Sequence, residues 1–544
     1  MSDLYKGKGQ SAPPDIKLLF GTAKQPLKTL ALLSLKTRLA ANQIPNAKLV
    51  LKQPGAAMGN IDQFTADAKL SQPGTPVVIQ FADGRVLFSG VVAEQHCRQT
   101  QAGSEMTLRL CHPLQGAQSS HASQVFVQQT DKMVLKQLLQ RYLESQSKIS
   151  GLPEFTHPQL VQYECSDWQF IKARLFANGV WLWPDAEGGV AIMPPQLSAA
   201  KHTLVRDVSA QAGVSGHTPL VEAADWTFNS RELIKKIDFT TWNAGRQQAQ
   251  TRQSSSTLLG SGAWDAKALA NLGPQAQSFH TSCNLQDGEQ CAWATGRLLA
   301  LQAASVRGRF TVAGGIAYQL GDTLEVKGFG GAFDGKGVIS GIEHQLTPGR
   351  WRTTLAVGLD LPAEADLQLL PEAPGLQIGV VADYQSDPDR LDQLRIKVPA
   401  LGEELWARFA SPYASKDSGV CFYPEPGDEV VLGFFGADPR FPVVLGSMHN
   451  PRQPSPIDPL KHRQQRGLIL QANGTVQQLL FDGQAKSAVL QSDQDRLTLK
   501  TGITADSPQD IRAKGKNMVL QAEAKQELSG QQVKVKGSKV DVGM

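Results

Sequence analysis

His96 stands beside Cys97, and Cys111 beside His112, on segments that read as neighbouring strands. Imidazole and thiolate are the ligands that zinc takes, and a structural site needs four of them at short, regular spacing. No CxxC and no carboxylate–histidine spacing accompanies these pairs, so they are read as structural residues and no metal is expected. Glu425, Asp428 and Glu429 form a second candidate cluster in PEPGDEVVLGF. Two carboxyl groups do acid–base work only when held about 5 to 9 Å apart with their pKa values split by environment. The Pro-Gly-Asp turn explains the three acids more simply, because a tight turn needs Gly and Asp for its backbone geometry.

His344, after Glu343 on a strand, is expected at a surface or cap position. Trp226, Trp242 and Trp264 are assigned to core or interface packing. GxSxG, GxGxxG, P-loop and HExxH patterns do not occur in a supportive context. No catalytic, cofactor-binding or metal-binding residues are therefore assigned, no cofactor is expected, and the chain is read as a protein that is not an enzyme.

These residues need a scaffold, and 544 residues allow several domains. The net charge of +4 arises from nearly equal numbers of bases and acids, so no nucleic-acid partner is expected. The N-terminus lacks an apolar signal core, and no run reaches the 18 apolar residues of a spanning helix, so synthesis in the cytoplasm without a signal peptide is expected. The scattered Cys97, Cys111, Cys165, Cys283, Cys291 and Cys421 fit reduced thiols rather than a disulfide framework.

Residues 1–42 read as a polar entry with an ambiguous short helix at KTLALLSLKTRLA. A first barrel region, 43–200, follows, with period-two segments such as TPVVIQF and MTLRLC around an Asp83-Gly84 turn. Two helical patterns interrupt it. One places Met133, Leu135, Leu138, Leu139 and Tyr142 on an apolar face; the other places Trp168, Phe170, Ile171, Leu175 and Phe176 on one, and it ends at Asn178-Gly179. Residues 201–280 read as an extended or mobile excursion, 281–362 as a second barrel region opened by a helix, and 363–376 as a Pro-rich linker. A small closed barrel is expected over 377–450, a stiff Pro-rich connector over 451–460, and short strands with few large side chains over 461–544. Such strands cannot build a core from one chain but could do so if several chains intertwined.

Residues 404–450, from ELWARFASPYAS through YPEPGDEVVLGFFGADPRFPVVLGSMHN, resemble the oligosaccharide-binding-fold module of VgrG-like and bacteriophage baseplate spike proteins. SDWQFIKARLFANGVWLWPD and GDTLEVKGFGGAFDGKGVISGIEHQLTPGRWRTTLAV resemble the hub segments of the same family. The resemblance implies a mainly β homotrimer: a hub of β-barrel domains with short helices, a small OB-fold barrel, and a C-terminal intertwined triple-stranded β-prism. It also implies a structural central spike that joins the baseplate and inner tube of a contractile particle to its membrane-piercing tip. The implied partners are an inner-tube or tube-adaptor protein, baseplate proteins, a PAAR-like tip protein near Val535 to Met544, and a transient contact with the target membrane. With SKVDVGM as its last residues, neither a lysozyme-like insertion nor an effector domain is expected, and the resemblance in size is to spikes of extracellular injectors of the antifeeding prophage and Photorhabdus virulence cassette type. A type VI secretion spike that carries effectors is the second expectation; a baseplate hydrolase and a carbohydrate-binding module are further alternatives.

Overall fold

The computed structural model describes residues 15–53, 61–100, 103–144, 147–206, 219–231, 233–255, 258–269, 275–314 and 317–542. The expected entry before Asp15 and the last two residues of the tip segment lie outside this set. The chain divides into two units, Met1–Met448 and His449–Met544.

Alternating apolar and polar residues build the first unit around a 13-stranded sheet. Its first half runs through Ile16–Phe20, Pro76–Phe81, Val86–Thr100, Gly103–Cys111, Asn46–Lys52 and Ala31–Ala40, all antiparallel neighbours. Ala31–Ala40 then pairs with Gly335–Thr347, and the order continues through Arg350–Val357, Val306–Ala313 and Val221–Phe228. Leu35, Leu49, Ile79, Met106 and Leu108 face one core, and Phe310, Leu324, Ile339 and Leu355 a second.

The α-helices are α1 (Ile61–Leu70), α2 (Gln115–Ser119), α3 (Asp131–Leu139), α4 (Asp167–Ala177), α5 (Ala266–Leu269) and α6 (Asp287–Ser305). A capping box between Ser166 and Gln169 starts α4, satisfying backbone donors that the first turn cannot satisfy itself. The expected apolar face of α4 is buried, with Arg174 in the middle of it. On α3, Met133 is exposed and Val134 takes the inward position.

Gln377–Val381, Gln393–Val398, Glu403–Phe409, Pro442–Ser447 and Glu429–Phe434 close into a five-stranded barrel around Ile396, Leu405, Ala407, Val430 and Leu432. Gly427 sits at φ +93° in the turn before Glu429, a conformation that favours glycine.

In the second unit, Gln465–Ala472, Thr475–Asp482, Ser487–Ser492, Asp495–Leu499 and Ile503–Asp506 form an antiparallel meander. Leu468, Leu479, Leu490 and Leu497 stand directly opposite one another across four strands. Every one of them is at least 36% exposed, and Val489 alone is buried among the described residues of this unit.

Three expectations are corrected. The ambiguous helix of the entry segment is the strand Ala31–Ala40, in which Leu35, Thr37 and Leu39 point inward and Lys36 and Arg38 outward. The excursion over 201–280 holds a hairpin, Lys236–Asn243 with Gln248–Gln253, and the strands His202–Val205 and Val221–Phe228 of the main sheet region. The anticipated strands at MVLQAEAK and VKVKG are absent from the described tail, where no regular element follows Asp506. A strand needs a neighbour to satisfy its backbone groups, and the tail meets none within one chain.

Close packing of α4 against α6 depends on Gly296, where an added Cβ would collide with the carbonyl oxygen of Phe176. Gly296→Ala is expected to destabilise the first unit by about 1–3 kcal/mol, the range for overpacking a tight contact. A denaturant melt followed by tryptophan fluorescence checks this, and an unchanged midpoint would refute it.

Candidate functional site

The two His–Cys pairs lie on adjacent strands at different heights. Cys111 is in register with Val91 and Cys97 with Met106, which separates the two pairs along the strands. His96 and Cys97 are exposed, whereas His112 is buried and its Nδ1 accepts from the Leu114 N–H at 3.2 Å. Burial lowers the His112 pKa. Among the described residues no group of three or more His, Cys, Asp or Glu could hold a metal ion.

Asp428 Oδ2 accepts from the Glu425 N–H at 2.9 Å, and the backbone of Gly427 and Asp428 bonds to Val381, which makes the acidic trio a turn that closes the barrel. Trp264 stacks on Phe310 and donates from Nε1 to the Phe333 carbonyl at 2.8 Å; Trp226 packs against Phe310, Phe329 and Phe333. Trp242 is 41% exposed on the hairpin. His344 is partly buried: its Nδ1 is bonded to Thr353, its ring lies near Trp351, and burial pushes its pKa down to about 4. Burial pushes the Cys165 and Cys283 thiols up to about 11 and about 12, far from nucleophilic thiolates.

The chemistry-bearing residues that do converge are ones the sequence reading did not join. Asp131, His157, Arg174, Glu289, Asp438 and Arg440 are all buried. Arg174, in the middle of α4, places Nε 2.6 Å from Asp131 Oδ1 and Nη2 3.0 Å from Asp131 Oδ2, at the start of α3. His157 Nε2 lies 2.9 Å from Asp131 Oδ2, and Arg440 Nη1 lies 3.5 Å from His157 Nδ1. Arg440 grips Asp438 through Nε and Nη2 and donates from Nη1 to Glu289 of α6 at 2.7 Å. The chain of contacts thus joins three hub helices to the loop between two barrel strands.

The electrostatics make this junction self-contained. Burial works against the Asp131 charge, but Arg174 and His157 outweigh it and hold the carboxyl well below the ordinary carboxylate range. Burial also opposes the Arg440 charge, and Asp438 and Glu289 overcome it, so the guanidinium holds its proton more tightly than free arginine does. Carboxylates occupied in this way are poor proton acceptors, so the arrangement can bear load but is not set up for acid–base chemistry.

Two further devices reinforce it. The strand Thr156–Cys165 serves two cores: Leu160 packs among the helices, while Val161 and Tyr163 pack into the barrel. The Gln159 side chain bonds the Trp406 N–H, the Trp406 carbonyl and the Arg440 carbonyl. The expected linker is also packed down: Leu369, Leu370 and Ala373 are buried in three different cores, and Arg174 Nη1 donates to the Leu369 carbonyl at 2.7 Å.

Arg440→Ala leaves Asp438 buried without its cation and Glu289 with only the longer contact to Arg174, and is expected to cost about 3–5 kcal/mol. The checks are a thermal melt and protease cleavage within 363–376, which rises if the barrel has come loose and stays at the wild-type rate if the reading is wrong. His344 yields a pH prediction. It stays neutral in the fold down to about pH 4, whereas in the unfolded chain it protonates from about pH 6.5, so the unfolded state binds more protons between those values. Stability is therefore expected to fall by up to about 3 kcal/mol as pH drops through that window, and His344→Gln should flatten the dependence in a melt series.

Comparison with known proteins agrees with this architecture. The Type VI secretion system/phage-baseplate injector OB domain matches residues 377–449. The type VI secretion system spike protein VgrG1a of Pseudomonas aeruginosa is 24% identical over 339 residues, covering 57% of this chain and 50% of its own length. The chain thus spans half the length of that curated relative. Among solved structures, an E. coli type VI secretion component described as similar to T4 bacteriophage tail proteins gp27 and gp5 superposes with a TM-score of 0.50 at 13% identity, covering 80% of this chain and all of its own. A VgrG complex with PdpA from Francisella superposes at 0.52 with 10% identity, covering 92% of this chain and 81% of its own. These likenesses identify a VgrG-like spike fold. The Alg8 N-terminal domain family matches residues 18–348, more than half of the sequence, and the chain belongs to that family.

Proposed function

We propose that the chain is the structural central spike of a contractile, phage-tail-like injection particle, acting as a homotrimer and turning over no substrate. The observation that carries this reading is the open leucine row Leu468, Leu479, Leu490 and Leu497. An apolar row on one face of a thin sheet is costly in water, and copies of the same face around an axis would cover one another. Burying even 1,000 Å² in this way contributes on the order of 25 kcal/mol before ordering entropy is charged, a contribution that one copy of the tail lacks.

In this reading residues up to about 362 form the hub, which docks the inner tube or its adaptor and the baseplate. Residues 377–450 form the neck barrel, and 461–544 form an intertwined β-prism that carries a PAAR-like tip protein. The spike acts inside an assembled, released particle and meets the target membrane only in passing. The likeness to a type VI secretion spike supports a second reading, a spike that delivers attached effectors from within a cell. Genes for sheath, tube and baseplate in one compact cluster would favour the first reading, and membrane-anchoring secretion genes the second.

Ending the chain at Pro459, or introducing Leu479→Asp with Leu490→Asp, is expected to leave the first unit folded and to weaken the trimer and tip binding markedly. Light scattering and particle assembly check this. A truncated chain that remained a stable trimer and assembled active particles would show that this region is not the spike.

A further inference from the structure

On the face of the main sheet turned away from the first core, Arg109, Lys48 and Lys36 lie on three neighbouring strands and directly opposite one another in register. Carboxylates occur only at the ends of this row: Glu94 reaches Arg109 at 3.1 Å and Glu343 reaches Lys36 at 2.9 Å. Lys48, in the middle, has a cation on either side and no carboxylate within ion-pair distance among the described residues. Arg38, two residues along from Lys36 on the same face, is exposed and stands opposite Glu343 in register without an ion pair to it. Like charges directly opposite on paired strands oppose the pairing that holds the sheet together, so this row weakens its own fold. Its side chains reach solvent, with Lys36 and Arg109 more than half exposed.

We propose that this row is a docking surface for an extended, carboxylate-rich polypeptide segment of a partner protein. Negative side chains laid over Lys48 relieve the repulsion that the sheet alone leaves in place, which links binding to stability. In an extended segment, alternate residues share one face at about 6.8 Å, the spacing of Lys36 and Arg38 along their own strand. A nucleic acid fits less well. Among its described residues the face offers no exposed Trp, Tyr or Phe on which bases could stack. This inference does not depend on the spike reading.

The test uses the full chain and a labelled polyglutamate peptide, with fluorescence anisotropy at low and raised salt. Polyglutamate should bind at low salt and weaken as salt rises; Lys36→Gln with Lys48→Gln should lower affinity by about tenfold or more, and Lys48→Arg should retain it. Lys48→Gln alone, which breaks no ion pair, should melt at or above the wild-type temperature, because a repulsion has been removed. Lys48→Met, which keeps the aliphatic stem, serves as the second variant should the double change fail to fold. The proposal is overturned by absence of polyglutamate binding, by binding that the neutral variants leave unchanged, or by tighter binding of a single-stranded oligonucleotide. A change of oligomeric mass in the neutral variants would assign the face to contact between copies and overturn it as well.

Discussion

Arg440 lies in a barrel loop, yet its side chain reaches Glu289 on a helix and His157 on the strand Thr156–Cys165. Its guanidinium is buried, Asp438 beside it takes two of its donors, and Glu289 of α6 takes a third. A cation in that position has no water to fall back on, so the barrel cannot move off the helices without exposing or orphaning charge on both sides. Arg174 imposes the same condition one step further in, since it ties Asp131 of α3 to the backbone of the linker at Leu369. The first unit is therefore a body in which hub helices, linker and barrel share one electrostatic centre and adjoining cores.

That arrangement suits a rigid part rather than one that opens and closes. An apolar contact alone tolerates sliding at small cost, whereas bidentate ion pairs in a dry site fix both distance and angle. The strand Thr156–Cys165 adds a covalent path through the same place, because its two faces belong to different cores. Gly296 lets α4 and α6 approach closely enough for Arg174 and Glu289 to meet at the centre, where Arg174 Nη2 lies 3.7 Å from Glu289 Oε1.

Much of the fold was legible because period two survives wherever one sheet face is buried. The barrel turn at Gly427-Asp428, the hairpin after Asn178-Gly179 and the short strands after Gln465 follow directly from it. Ala31–Ala40 was ambiguous because Ala, Leu, Lys and Arg are all good helix formers, and only the alternation of Leu35, Thr37 and Leu39 with Lys36 and Arg38 distinguishes a strand. The 236–253 hairpin was hidden by polar residues: Ile237, Phe239 and Thr241 alone turn inward from its first strand, while the second strand has no buried side chain. The junction was the least visible part. Its members come from distant segments, with Gln159 and Arg440 281 residues apart. One local sign was available: Arg174 falls four residues after Phe170 and three after Ile171, on the apolar stripe of its helix, where a charge needs a buried partner.

The second unit poses the opposite problem from the first. Its strands are regular and its leucines are in register, but one copy leaves them facing water. The first unit completes its own cores; the second has a sheet and no core. The central claim is that copies of the chain supply what is missing, and native mass measurement of the full-length protein at micromolar concentration tests it most directly. The account predicts one species at three times the chain mass, and a folded monomer under the same conditions would contradict it.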